Sequence, residues 1–231
     1  MTKDKSKIHF VLVAGFSSDH KEAYGLKNSL MKLGYSAYAI SFYGKDYMDD
    51  FTYLTREQCI ANVSQYIDDC CEECDEVYGI GISLGGCLLL EYAKNKSRLK
   101  GVVSIGTPFK LKKRFLITIA QFMLPVFYPA WKRLQKVKKL RLSPVGAGKE
   151  MISYMEHEFI QGLEKVKTPV LFLQSKKDKV TDWHALEENF GKIGSPIKEI
   201  EYFHNGRHVI DHDPDLVAGM CLEFFEKNSI I

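Results

Sequence analysis

Six short apolar runs alternate along the chain with longer stretches of helical period. Ile8–Val13, Tyr35–Phe42, Val77–Ile82, Val102–Ile105, Val170–Gln174 and Ile197–Phe203 have the length of single strands. Between the first two runs, Leu26, Leu30 and Leu33 fall on one face of a helix over Lys21–Leu33, which Gly34 stops. Between the second and third, Thr55-x-x-Gln58 is a capping box that opens a helix with the stripe Ile60, Val63, Ile67. A compact apolar helix over Gly86–Lys94 follows the third run, and Asp182 precedes a helix carrying Trp183, Leu186 and Phe190. The last helix, Pro214–Lys227, takes Asp213 as its N-cap and turns Leu216, Val217, Met220 and Phe224 inward. Single helices between strands predict right-handed crossovers. The fold class is α/β, a mostly parallel central sheet with helices on both faces.

One region breaks the alternation. From Lys110 to Lys149 there are eleven Lys or Arg and no Asp or Glu, which leaves 21 basic residues against 29 acidic ones in the rest of the chain. Within it, Phe115–Tyr128 is almost wholly apolar, Pro125 and Pro129 interrupt any long helix, and the stretch is too short to cross a bilayer as a helix. Residues 109–162 therefore read as a small helical cap inserted into a single domain spanning 1–231. A cap that is apolar inside and cationic outside predicts weak contact with an anionic membrane surface.

The net charge of only +3 gives no reason to expect nucleic acid as a partner. The nine-residue apolar run Ile8–Phe16 is too short for a signal or membrane helix, and six irregularly placed cysteines do not form a disulfide scaffold, so the expected location is cytoplasmic. Cys70-x-x-x-Cys74 contains a C-x-x-C, Cys71 to Cys74, yet no second Cys or His pair stands at metal spacing. Neither metal nor organic cofactor is expected.

The chemistry lies in Gly81-Ile82-Ser83-Leu84-Gly85, between the third apolar run and the helix after it. A serine at a sharp strand-to-helix turn is held in a strained conformation with its hydroxyl above the sheet edge. The following helix aims its first amides and its dipole at any oxyanion formed beside Ser83. A glycine-rich nucleotide-binding turn is the competing reading, but Gly79-x-Gly81 lacks the third glycine at the needed offset.

A serine nucleophile needs a base, and the base needs an orienting carboxylate. Of seven histidines, His9 lies within the first strand, His20 precedes the serine, His157 falls in the insertion and His184 starts a helix. His204 ends the last apolar run and His212 sits at the last helix cap. His208, in the loop Asn205-Gly206-Arg207-His208, is the candidate base. Asp178, in the loop after Val170–Gln174, is the candidate acid, whereas capping explains Asp182 and the helix dipole explains Asp211, Asp213 and Asp215. Asp178 shows no comparable structural task in the sequence. The amides of Leu84 and Phe16 are the candidate oxyanion-hole donors, Phe16 following Gly15 in the loop after the first strand.

The chain resembles the α/β-hydrolase superfamily, and within it the small bacterial carboxylesterases and monoacylglycerol lipases with a short helical cap. The resemblance is carried by Val11-Leu12-Val13-Ala14-Gly15-Phe16, Gly79 to Gly86, Ser175-Lys176-Lys177-Asp178-Lys179-Val180, and the stretch from Ser195-Pro196 to Gly206-Arg207-His208-Val209-Ile210. It implies Ser83 as nucleophile, Asp178 as acid, His208 as base and Phe16 and Leu84 as amide donors. Two departures stand out: Ala14 replaces the usual histidine of a His-Gly pair, and Tyr43-Gly44-Lys45-Asp46 stands where Gly-His-Gly is usual. The expected activity is hydrolysis of short to medium acyl esters or monoacylglycerols, small-molecule substrates, through an acyl-enzyme. An acyl-thioester hydrolase with the same triad is the alternative, and a non-catalytic binding protein on the same fold the third reading.

Overall fold

Every apolar run supplies a strand in the computed structural model, which describes residues 4–15, 23–41, 55–96, 98–112, 153–155, 157–203 and 213–231. The strands are β1 (Ile8–Val13), β2 (Ser36–Ile40), β3 (Glu76–Ile82), β4 (Gly101–Ile105), β5 (Val170–Ser175) and β6 (Lys198–Phe203). They form one sheet in the order β2-β1-β3-β4-β5-β6, and each neighbouring pair is parallel. The helices are α1 (Tyr24–Lys32), α2 (Arg56–Glu73), α3 (Leu84–Asn95), α4 (Trp183–Phe190) and α5 (Pro214–Lys227).

The chain leaves β1 for β2 on one side, then crosses back to β3 on the other. With right-handed crossovers this reversal sends α1 and α2 to opposite faces. Alternate residues of each central strand then feed two separate cores. Phe10, Leu12, Tyr78, Ile80, Val103 and Leu171 pack under α1 and α5, with Leu26, Leu30, Val217 and Phe225. Val11, Val13, Val77, Val102, Val170 and Phe172 pack under α2, α3 and α4, with Val63, Ile67, Leu88 and Leu186.

The expected caps are in place. Thr55 accepts from Gln58 N while the Gln58 side chain accepts from Thr55 N, and Asp182 and Asp213 accept from His184 N and Asp215 N. Two apolar residues expected inside lie outside. Leu33 is 45% exposed because α1 ends at Lys32, leaving it on the C-cap. Leu216 is 56% exposed; Val217, Ala218, Cys221 and Phe224 turn the buried stripe of α5 away from it. Of the expected 109–162 insertion, residues 113–152 and 156 lie outside the described residues, as does Phe42.

Helix α3 meets the sheet more closely than a side chain would allow. A Cβ on Gly85 would lie 2.0 Å from the Val13 carbonyl oxygen, and one on Gly86 would lie 2.0 Å from Ser104 Oγ. The first turn of α3 therefore rests directly on the ends of β1 and β4. Gly86→Ala is expected to destabilise the fold by about 1–3 kcal/mol through overpacking. Adding Ser104→Gly, which removes the obstructing atoms, should return part of that loss, so urea midpoints of the two single variants and the double variant will be non-additive.

His9 is buried in β1 and stacked on Tyr38, with ring centroids 4.8 Å apart, and its Nε2 has no hydrogen-bond partner. Burial pushes its pKa below the ordinary 6.5, against a smaller opposing pull from Glu73. The folded state holds this ring neutral, so as pH falls below 6.5 the unfolded chain binds a proton that the fold refuses. His9 should then cost stability with a slope of up to about 1.4 kcal/mol per pH unit until its folded pKa is passed. His9→Phe should lose less stability than the parent between pH 7.5 and pH 5.5 in urea titrations.

Candidate active site

The strand order reverses between β1 and β3, and at such a switch point open α/β sheets hold their ligands, outside the carboxyl ends of the strands. Ser83 stands there, between the last residue of β3 and the first of α3. Its backbone has φ 52° and ψ −118°, a conformation an L-residue adopts at a cost of about 1–3 kcal/mol. Ser83 N donates to Ile105 O at 2.7 Å and Ser83 O accepts from Gly86 N at 3.0 Å, so both sides of the peptide are tied to the frame. Ser83 does not cap α3 with its hydroxyl, unlike Thr55, Asp182 and Asp213 at their own helices. The left-handed backbone turns the side chain out of capping position and leaves it partly exposed.

Leu84 is the first residue of α3, and its backbone N–H therefore has no carbonyl within the helix to meet. Its side chain is buried, which fixes the direction of that amide. The other expected amide, that of Phe16, lies outside the described residues; the described chain after β1 ends at Gly15. Ala14 N donates to Ile40 O at 2.9 Å, which pins this loop to the end of β2 as it leaves the sheet.

Asp178 follows β5, two strands from β3 in the same parallel edge and so roughly 10 Å away across the sheet. The continuity of that edge is visible in Ser83 N to Ile105 O and in Gly106 N to Leu173 O at 2.8 Å, which join the ends of β3, β4 and β5. The carboxylate is buried, 3% exposed, and well supplied with donors. Oδ1 accepts from Val180 N at 2.7 Å and Thr181 N at 3.1 Å; Oδ2 accepts from Thr181 Oγ1 at 2.6 Å and Gln174 Nε2 at 3.2 Å. Asp178 thus has a structural task that the sequence did not disclose: it closes its own loop. Its main-chain oxygen accepts from Lys112 Nζ at 2.9 Å, and Leu111 bridges to Thr181.

His208 lies outside the described residues, as do the other histidines weighed from the same loop, His204 and His212, and also His20. Of the remaining three, His9 is buried at the opposite end of the sheet's strands, and His157 and His184 are exposed. Cys87, one turn into α3, is buried and its thiol is pushed far up by desolvation, which keeps it a neutral packing group rather than a nucleophile. Cys70 is buried likewise, with its pKa pushed up to about 11, first by desolvation. All six cysteines are free thiols.

Comparison with known proteins bears on the fold. A family model described as serine aminopeptidase, S33, matches residues 140–215. A thermostable monoacylglycerol lipase from Bacillus sp. (strain H-257) is 23% identical over 235 residues, covering 98% of this chain and 93% of the relative. Among solved structures, one from work on LipS and LipT, two metagenome-derived lipolytic enzymes, superposes with a TM-score of 0.76 at 23% identity over 96% of this chain and 95% of the other. The monoacylglycerol lipase of Paleococcus ferrophilus superposes with a TM-score of 0.71 at 21% identity, covering 95% and 94%. With a parallel six-stranded sheet and a serine in a left-handed strand-to-helix turn, this chain has the α/β-hydrolase fold.

Proposed function

We propose that the protein is a serine carboxylesterase acting on short to medium acyl esters or monoacylglycerols. The observation that carries the reading is the backbone of Ser83: φ 52° at the switch point of the sheet, directly before a helix N-terminus. That conformation costs free energy and caps nothing, so its use is to present a hydroxyl. The relatives named as monoacylglycerol lipases support the substrate class.

In this reading His208 takes the proton of Ser83 as the alkoxide attacks the ester carbonyl, giving a tetrahedral intermediate. The amides of Leu84 and Phe16 stabilise its oxyanion. Collapse expels the alcohol, which receives its proton from His208, and leaves an acyl-serine. Water, deprotonated by His208, then attacks the acyl carbon, and the second collapse returns the proton to Ser83 and releases the acid. Asp178 holds the imidazole in the needed tautomer and offsets its charge, and the cap accommodates the acyl chain.

The reading extends to the protein's surroundings. Lys110, Lys176, Lys177 and Lys179 are exposed around the Asp178 loop, beside Val180 at 41% exposure, and the basic stretch of sequence continues from Lys112. Such a rim favours an anionic lipid surface. No helix among the described residues is long and apolar enough to cross a membrane, so contact would be peripheral.

Ser83→Ala is expected to reduce kcat on p-nitrophenyl butyrate by roughly four orders of magnitude or more and to abolish labelling by a fluorophosphonate probe. Turnover and labelling at parental levels would remove Ser83 from the chemistry. In vesicle co-sedimentation, binding to phosphatidylglycerol-containing vesicles should exceed binding to phosphatidylcholine alone and should fall as salt rises; equal, negligible binding to both excludes the lipid contact.

A further inference from the structure

The carboxylate of Asp178 is held by more than its loop needs. Two backbone amides, from Val180 and Thr181, suffice to close the turn, and both go to Oδ1. Oδ2 is gripped separately by two side chains from different parts of the chain: Thr181, in the loop, and Gln174, in β5. Both are buried, at 0% and 1% exposure.

The polarity of this cluster is fixed. Thr181 has one hydroxyl proton, and at 2.6 Å it goes to Asp178 Oδ2. The hydroxyl oxygen can then accept, and Gln174 Nε2 supplies a donor at 3.1 Å while also facing Asp178 Oδ2 at 3.2 Å and Ser175 O at 3.2 Å. Turning the amide over would set Gln174 Oε1 against the carboxylate, acceptor to acceptor. The observed orientation instead leaves Oε1 buried with no partner. A buried, unsatisfied carbonyl is costly, and an apolar side chain would fill the same place in a strand without that cost. The chain keeps an amide there because its N–H groups have work at Oδ2.

We propose that Gln174 and Thr181 are positioning residues that fix the plane of the Asp178 carboxylate, and through it the orientation of the base. This rests on the reading of Asp178 as the acid of the triad. Backbone donors on one oxygen and side-chain donors on the other leave the carboxylate no rotation about its Cβ–Cγ bond. The imidazole that meets it is thereby given one direction of approach, and a misdirected base is paid for in kcat rather than in substrate binding.

The test compares Thr181→Val, which removes the hydroxyl while keeping the size and the backbone amide, with Thr181→Ser, which keeps the hydroxyl, and with Gln174→Leu. Kinetics are measured on p-nitrophenyl butyrate, with near-ultraviolet circular dichroism confirming the fold at the assay temperature. Thr181→Val and Gln174→Leu should each lower kcat roughly ten- to a hundredfold with little change in KM, and Thr181→Ser should recover most of the rate. Parental kcat in folded Thr181→Val, a change confined to KM, or equal losses in Thr181→Ser and Thr181→Val would overturn the proposal. Asp178→Asn separates the two levels of the argument. If it is inactive while Thr181→Val is not, the positioning role alone fails; if it retains parental kcat, the reading of Asp178 as the acid fails with it.

Discussion

The structure depends on how closely the first turn of α3 meets the sheet. The first turn of α3 lies so close to the ends of β1 and β4 that neither Gly85 nor Gly86 has room for a Cβ. This closeness forces the chain to turn within a single residue between β3 and α3, and that residue, Ser83, takes the left-handed conformation. Two core clusters hold the arrangement from both sides of the sheet, and α3 lies in one of them through Cys87, Leu88, Leu89 and Leu90. Strain at one residue is offset by burial along a whole helix, which is how a small domain can maintain a locally unfavourable φ.

The same geometry explains what the sequence could and could not disclose. Strands buried on both faces announce themselves as apolar runs, and Ile8–Val13 and Pro214–Lys227 were legible to the residue. Caps were legible as well, because Thr55, Asp182 and Asp213 act on amides two or three residues away. Burial at helix ends was not. Leu33 and Leu216 continue an apolar spacing, yet the stripe that meets the sheet is set by where the helix stops and how it is rotated, and both depend on partners far along the chain.

Among the candidate site residues, Ser83 and Leu84 could be read from a short motif whose meaning is local backbone geometry. Asp178 could be placed on its loop by spacing from β5, but its four donors could not. Val180 and Thr181 are near it in sequence, and nothing in their types separates a loop that encloses a carboxylate from one that exposes it. Gln174 is less legible still. Within an apolar run it reads as the strand's end, whereas in the fold it is fully buried with its amide directed at a charge.

The expected insertion, residues 109–162, is anchored at both of its described ends. Where the chain enters it, Leu111 bridges to Thr181 and Lys112 donates to both Val180 O and Asp178 O, so this stem belongs to the loop that carries the carboxylate. Where the chain returns, Tyr154 donates to Glu91 and Lys94 donates to Phe159 O at 2.6 Å, so that stem is seated on α3, the helix that follows Ser83. Glu91 and Lys94 pair at 2.7 Å with the lysine side chain 5% and the glutamate side chain 19% exposed, a half-buried ion pair whose charges are further met by these contacts. Both described ends are thus fixed, one on the loop that carries Asp178 and the other on the helix that follows Ser83.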